Sequence, residues 1–181
     1  IGALPLPCAT DNRINDLLEI TFRSGELTEP LYVNGPIQAN VWISTTALDA
    51  GLVVRVSDVY PNGRVQELTN GILTASMRAL DPERSRYLDG EMIQPWHPYT
   101  EESKSAPGMG EIVELNVEVF PSSFVIQPGH QLQISVGASD LPHGLPPVPD
   151  LLSGLVGLLT VYSGGEQASN VVLPVVPGYR D

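Results

Sequence analysis

The chain carries Ser139 and Asp140 side by side, with His143 three residues after the aspartate, in the stretch Gly137-Ala138-Ser139-Asp140-Leu141-Pro142-His143. These are the residue types of nucleophilic acyl transfer, in which an imidazole takes the serine proton and a carboxylate holds the imidazole in place. The spacing argues against such a site. A nucleophile elbow needs Gly-x-Ser-x-Gly, because its strained strand-to-helix turn leaves no room for side chains beside the serine. Here Leu141 stands where the second glycine belongs, and Pro142 follows instead of a helix. Five consecutive residues also cannot put the histidine ring between the other two groups in space. No catalytic residue is assigned.

Metal chemistry is equally poorly supplied. His97, His130 and His143 lie in Pro-rich or Gly-rich surroundings, with no His-x-His or His-Glu-x-x-His spacing to bring two imidazoles together. Asp81, Glu83, Asp89 and Glu91 lack the ligand order of a calcium loop and read as solvated charge. Cys8 is the single cysteine, which excludes an internal disulfide and a cysteine-based zinc site and leaves the compartment open. No metal or cofactor is expected. His130, after Pro128-Gly129, reads as a turn or edge residue. His97, held between Pro95-Trp96 and Pro98, either presents an indole and an imidazole to a neighbouring domain or is a plain loop residue.

Charge and hydropathy limit the partners. Nine basic residues against 21 acidic ones give a net charge of −12, and Lys104 is the only lysine. Nucleic-acid binding needs clustered Lys and Arg, so it is excluded on this balance. Apolar stretches are broken by Gly, Pro or Ser well short of the roughly 20 residues that cross a bilayer, so no membrane partner is expected. The opening IGALPLPCAT has no basic lead and no long apolar run, and no secretory leader is expected in it.

The elements that position these residues are strands. Val113, Leu115, Val117 and Val119 alternate with Glu114, Asn116 and Glu118, which predicts a strand with one wet face. The same period recurs at 131–136, 40–44, 52–58 and 170–175. Between them, Asn34-Gly35-Pro36, Asn62-Gly63, Asn70-Gly71, Pro128-Gly129 and Gly164-Gly165 read as turns. Many short strands joined by such turns predict an all-β antiparallel sandwich or barrel, and no helical period is sustained before residue 150. Residues 1–15 and 80–110 are the least regular, a tail and a long insertion.

Leu52, Val54 and Val56 alternate into Asp58, which places that carboxylate on the inward parity of its strand. An inward carboxylate needs a partner, and Arg78, in a following strand over 72–79, is the candidate. The pair reads as a structural ion pair in preference to a catalytic acid or a metal ligand.

The runs VNGPIQANVWIS, LVVRVSDVYPNGRVQELTNGILTASMRALDPERS, QPWHPYT, VEVFPSSFVIQPGHQLQISV and ASNVVLPVVPG, in that order, resemble the C-terminal domain of the cocaine esterase and X-Pro dipeptidyl-peptidase hydrolases, the CocE/NonD family. The resemblance implies a jelly-roll β-sandwich, similar to galactose-binding domains, over residues 16–181. It also implies that residues 1–15 are a tail or linker from a preceding α/β-hydrolase domain. That domain would hold the catalytic Ser, Asp and His and act on an ester or an X-Pro bond, while the present chain would be non-catalytic, stabilising it and shaping its substrate entrance. A carbohydrate-binding jelly-roll module is the rival. Aromatics make up only 6% of the chain, and Trp42 sits in an apolar strand expected to bury it, leaving Trp96 and Tyr99 for sugar stacking.

The segment 141–159, LPHGLPPVPDLLSGLVGLL, is too apolar for an ordinary loop, and its four prolines forbid a regular helix or central strand in its first half. Leu141, Leu145, Val148, Leu151 and Leu152 are therefore expected to dock a neighbour, the catalytic domain or a second copy of the chain, with Trp96 and His97 beside them. The other reading is that the segment plugs one end of the sandwich.

Overall fold

The computed structural model describes residues 11–138 and 157–179. Its strands are β1 (Ile20–Arg23), β2 (Leu31–Thr45), β3 (Gly51–Val59), β4 (Val65–Thr74), β5 (Arg86–Leu88), β6 (Glu91–Gln94), β7 (Val113–Ile126), β8 (Gln131–Gly137), β9 (Leu159–Gly164), β10 (Gln167–Ala168) and β11 (Asn170–Val172). Among the described residues the only helices are short 3-10 turns, at Asn12–Leu17, Ala75–Met77 and Glu101–Ser103.

All strand pairs are antiparallel. One sheet has the order β1-β8-β3-β4. In the second, β2 pairs with β7 along one side and with β9 and β11 along the other, and β10 extends β9. The sheets stack through the inward set of each alternation: Ile37, Ala39, Val41 and Ile43 of β2 and Leu115, Val117 and Val119 of β7 meet Leu52, Val54 and Val56 of β3. Burying such side chains contributes about 1.5–3 kcal/mol each, so this layer supplies most of the drive to fold.

Two expected turns lie inside strands. Asn34-Gly35-Pro36 sits within β2 at a bulge, where Gly35 takes a φ of 141° and the register slips between Gly35 and Ile37. Phe120 and Pro121 of β7 lie opposite Pro36 there, so both prolines fall where the ladder is interrupted and their missing N–H groups cost nothing. Asn70-Gly71 lies within β4, because Gly71 is where β4 crosses the backbone of β7. A Cβ at this position would overlap the Glu118 carbonyl oxygen and stand 2.7 Å from the Val119 Cα. Asn62-Gly63 and Pro128-Gly129 do reverse the chain, with φ of 81° at both glycines.

The outward face of β3 departs from the simple alternation. Val53, Arg55 and Ser57 are at most 2% exposed, as deeply buried as the inward set. Over Arg55 lies a strap formed by the first 3-10 turn and the residues up to Glu19, which pairs with the guanidinium. Asn12, assigned from sequence to the tail, is 3% exposed and donates to Glu67 Oε2 at 2.7 Å.

Candidate domain interface

Asp58 is buried, as its strand parity requires, but its partner is His130 and not Arg78. His130 Nδ1 donates to Asp58 Oδ1 at 2.8 Å. The histidine just precedes β8, whose Leu132 lies opposite Asp58, so the antiparallel register brings the ring to the end of β3. Tyr60 packs against that ring with centroids 4.5 Å apart. Arg78 cannot reach, because β4 ends at Thr74 and the chain turns away through Ala75–Met77. Its guanidinium instead donates to the carbonyls of Ala75 and Ser105. A double-mutant cycle of Asp58→Ala and His130→Ala is expected to show a coupling of about 0.5–3 kcal/mol in urea unfolding, whereas Asp58→Ala and Arg78→Ala add independently. A coupled Asp58 and Arg78 would contradict this geometry.

The largest buried charge is one the sequence reading passed over. Arg55 is 1% exposed and its guanidinium bridges Glu19 and Glu67, with Nε 3.1 Å from Glu67 Oε2. Around it, Gln133 donates to Asp16 Oδ1 at 2.8 Å, and Arg23 donates to Gln133 Oε1 at 2.6 Å. Gly137 provides the seat for Glu19, since a Cβ there would stand 2.6 Å from Glu19 Cγ. This layer lies between the strap and the first sheet. A lone arginine among valines, as in LVVRV, is its one sequence signal. Asp11 caps the strap's 3-10 turn, and the hydrogen bond from the Arg13 side chain holds its carboxyl below the usual carboxylate range.

His97 is 4% exposed, with Nδ1 2.8 Å from the Ala79 carbonyl oxygen and Nε2 2.8 Å from that of Asn116. It staples the insertion to β7 and presents no imidazole to a neighbour, which corrects the expectation that it joins an interface. Two prolines fix the chain around it, and that stiffness serves an internal contact. Trp96 beside it remains 36% exposed, under the Arg84 guanidinium at 4.3 Å from the ring centroid. Tyr99 follows at a φ of 51°, a conformation bulky residues rarely adopt. Burial, then the charge of Glu118, pushes its phenol pKa up. Trp42, expected inside, is half-buried on the outer face of the second sheet, in register with Tyr162 and Glu114. Asp81 spends its carboxylate on the Glu83 and Arg84 N–H groups.

Leu141, Leu145, Val148, Leu151 and Leu152, and the Ser139 to His143 group, lie outside the described residues. Within them, exposed apolar side chains gather along β1 and its approach: Leu17 at 83%, Leu18 at 75%, and Ile20 and Phe22 at 44% each. Phe22 also lines a cleft of about 440 Å³ between the sheets, with Ile134, Val161 and Val171 around it and Val41 and Val54 at its floor. Among the described residues no group of three or more His, Cys, Asp or Glu side chains converges as a metal site.

With its ion pairs spent within one sheet and its strap and apolar side chains left along one edge, the described chain is an antiparallel β-sandwich. Residues 7–172 match the X-Pro dipeptidyl-peptidase C-terminal non-catalytic domain, and the chain belongs to that family. It is 30% identical over 169 residues to a Mycobacterium bovis protein named provisionally as a serine esterase, covering 93% of this chain and 26% of that one. It is 26% identical over 177 residues to the cocaine esterase of a Rhodococcus species, covering 93% and 27%. In fold it is similar to a CocE/NonD family hydrolase from Staphylococcus aureus, with a TM-score of 0.73 at 22% identity, over 87% of this chain and 30% of that one. The chain thus spans about a quarter of the length of these curated relatives.

Proposed function

We propose that this chain is the C-terminal sandwich of a serine hydrolase, packed on an α/β-hydrolase catalytic domain of the same parent chain and shaping its substrate entrance. The match over residues 7–172 to a domain described as C-terminal and non-catalytic carries this reading, and the relatives named as esterases support it. The parent would transfer an acyl group to a serine and then to water, from an ester or an X-Pro bond. The connectivity of the two sheets is read as a jelly roll over residues 16–181, with residues 1–15 leading in from the catalytic domain. On the strength of their sequence, Leu141, Leu145, Val148, Leu151 and Leu152 join the contact, together with Trp96.

A fluorophosphonate probe on the full-length parent is expected to label a serine upstream of this chain and none within it. Removing the sandwich is expected to lower hydrolysis of a p-nitrophenyl ester or an X-Pro anilide. Stoichiometric labelling within this chain, abolished by Ser139→Ala, would overturn the proposal.

A further inference from the structure

The strap over residues 11–22 has its amphipathicity inverted. Toward the sheet it turns Asn12, Asp16 and Glu19, which bond Glu67, Gln133 and Arg55. Away from the sheet it leaves Leu17 and Leu18 more exposed than most side chains of the domain, and beyond it Ile20 and Phe22, in register with Val136 and Ile134, lie half-exposed on the inter-sheet side of the β1 edge. A strap that met only water would do the reverse, since desolvating carboxylates is costly and burying leucines is favourable. The buried side is nonetheless well made. Glu19 is 4% exposed and paired with an arginine that is 1% exposed, and Gly137 leaves the space in which it sits. The segment therefore has a fixed polar underside and an apolar upper side that nothing among the described residues covers. Apolar residues clustered in this way mark an interaction surface.

We infer that the catalytic domain of the parent chain seats on this upper side, on Leu17 and Leu18, and reaches round the β1 edge to Ile20 and Phe22 on the inter-sheet side. The inference rests on the function proposed above and adds the place of contact. Two observations choose this occupant. The relatives are several times longer than this chain, and the family description puts this domain at the C-terminal end, so the bulk of the parent precedes it. The polypeptide arriving from that bulk enters the sandwich through the strap itself, within a few residues of the exposed leucines. A domain tethered so closely meets the patch at high effective concentration, and a modest apolar contact suffices to hold it. The cleft beside Phe22 opens between the sheets on the other side of the β1 edge and can receive a protruding apolar side chain from a partner that wraps that edge.

Hydroxyl-radical footprinting of the full-length parent tests the placement. Leu48 and Leu88 serve as internal references, because at 77% and 62% exposure they bracket Leu18 and are of the same residue type. The expected result is oxidation of Leu17 and Leu18 several-fold slower than that of Leu48 and Leu88. Leu17→Asp with Leu18→Asp is expected to restore fast labelling at Phe22 and to split one thermal transition into two. If the domains unfold as one unit while Leu17 and Leu18 label as fast as the references, the contact lies elsewhere and only the present inference fails. If the unsubstituted parent unfolds as two independent units, the function proposed above fails with it. Protection that grows with protein concentration would assign the patch to a second copy and overturn the inference.

Discussion

Arg55→Leu is expected to cost about 3–5 kcal/mol of folding free energy, because it leaves the Glu19 and Glu67 carboxylates buried with no cation between them. Their side chains are only 4% and 11% exposed, so water cannot replace the guanidinium. The loss is read from the urea midpoint at an unchanged m-value. Adding Glu19→Gln and Glu67→Gln to Arg55→Leu is expected to recover most of it, since the same space then holds no net charge. Strictly additive losses in that series would show that the three groups do not act together.

Gly71→Val is the second large effect, with about 3–5 kcal/mol lost or no soluble protein recovered. The cause is backbone meeting backbone. Any Cβ at Gly71 overlaps the Glu118 carbonyl oxygen, and neither β4 nor β7 can move without parting the two sheets. Gly71→Ala already meets this overlap. Gly164→Ala, at a glycine with open space around its missing Cβ, is the control and should stay within about 0.5 kcal/mol in thermal or urea unfolding. Equal tolerance at both positions would rule out the close crossing.

The period-two runs made the strands and their inward sets legible, because alternation is a local property of a half-buried sheet. The burial of Asp58 followed from the same parity. Its partner did not, since His130 lies 72 residues away and only the β3 to β8 register brings it near. The burial of Arg55 is not legible in the sequence, because the strap that covers it is polar and irregular, with nothing in its spacing to announce a roof. Asn70-Gly71 has the composition of a turn, yet the glycine serves an approach between sheets. Asn62-Gly63, which does reverse the chain, has the same local chemistry, and the difference lies in where β7 runs some 50 residues later. The edge patch at Leu17 and Leu18 was hidden for a similar reason, because which side of an irregular strap faces outward depends on the polar layer beneath it.

The pairing of β2 sets when this domain can fold. Leu31 pairs with Ile126, Trp42 with Tyr162, and Asn40 with Asn170, so a strand made early waits for partners made some 95 to 130 residues later. Closing loops of that size before any ladder forms makes folding slow, as in other folds dominated by distant strand pairs. During synthesis β2 stays unpaired until β7 has left the ribosome, and one of its edges stays open until β11 follows. An open edge of alternating valines and isoleucines is a template for pairing with other chains. Nascent or truncated chains that stop short of Asn170 are therefore the aggregation-prone forms.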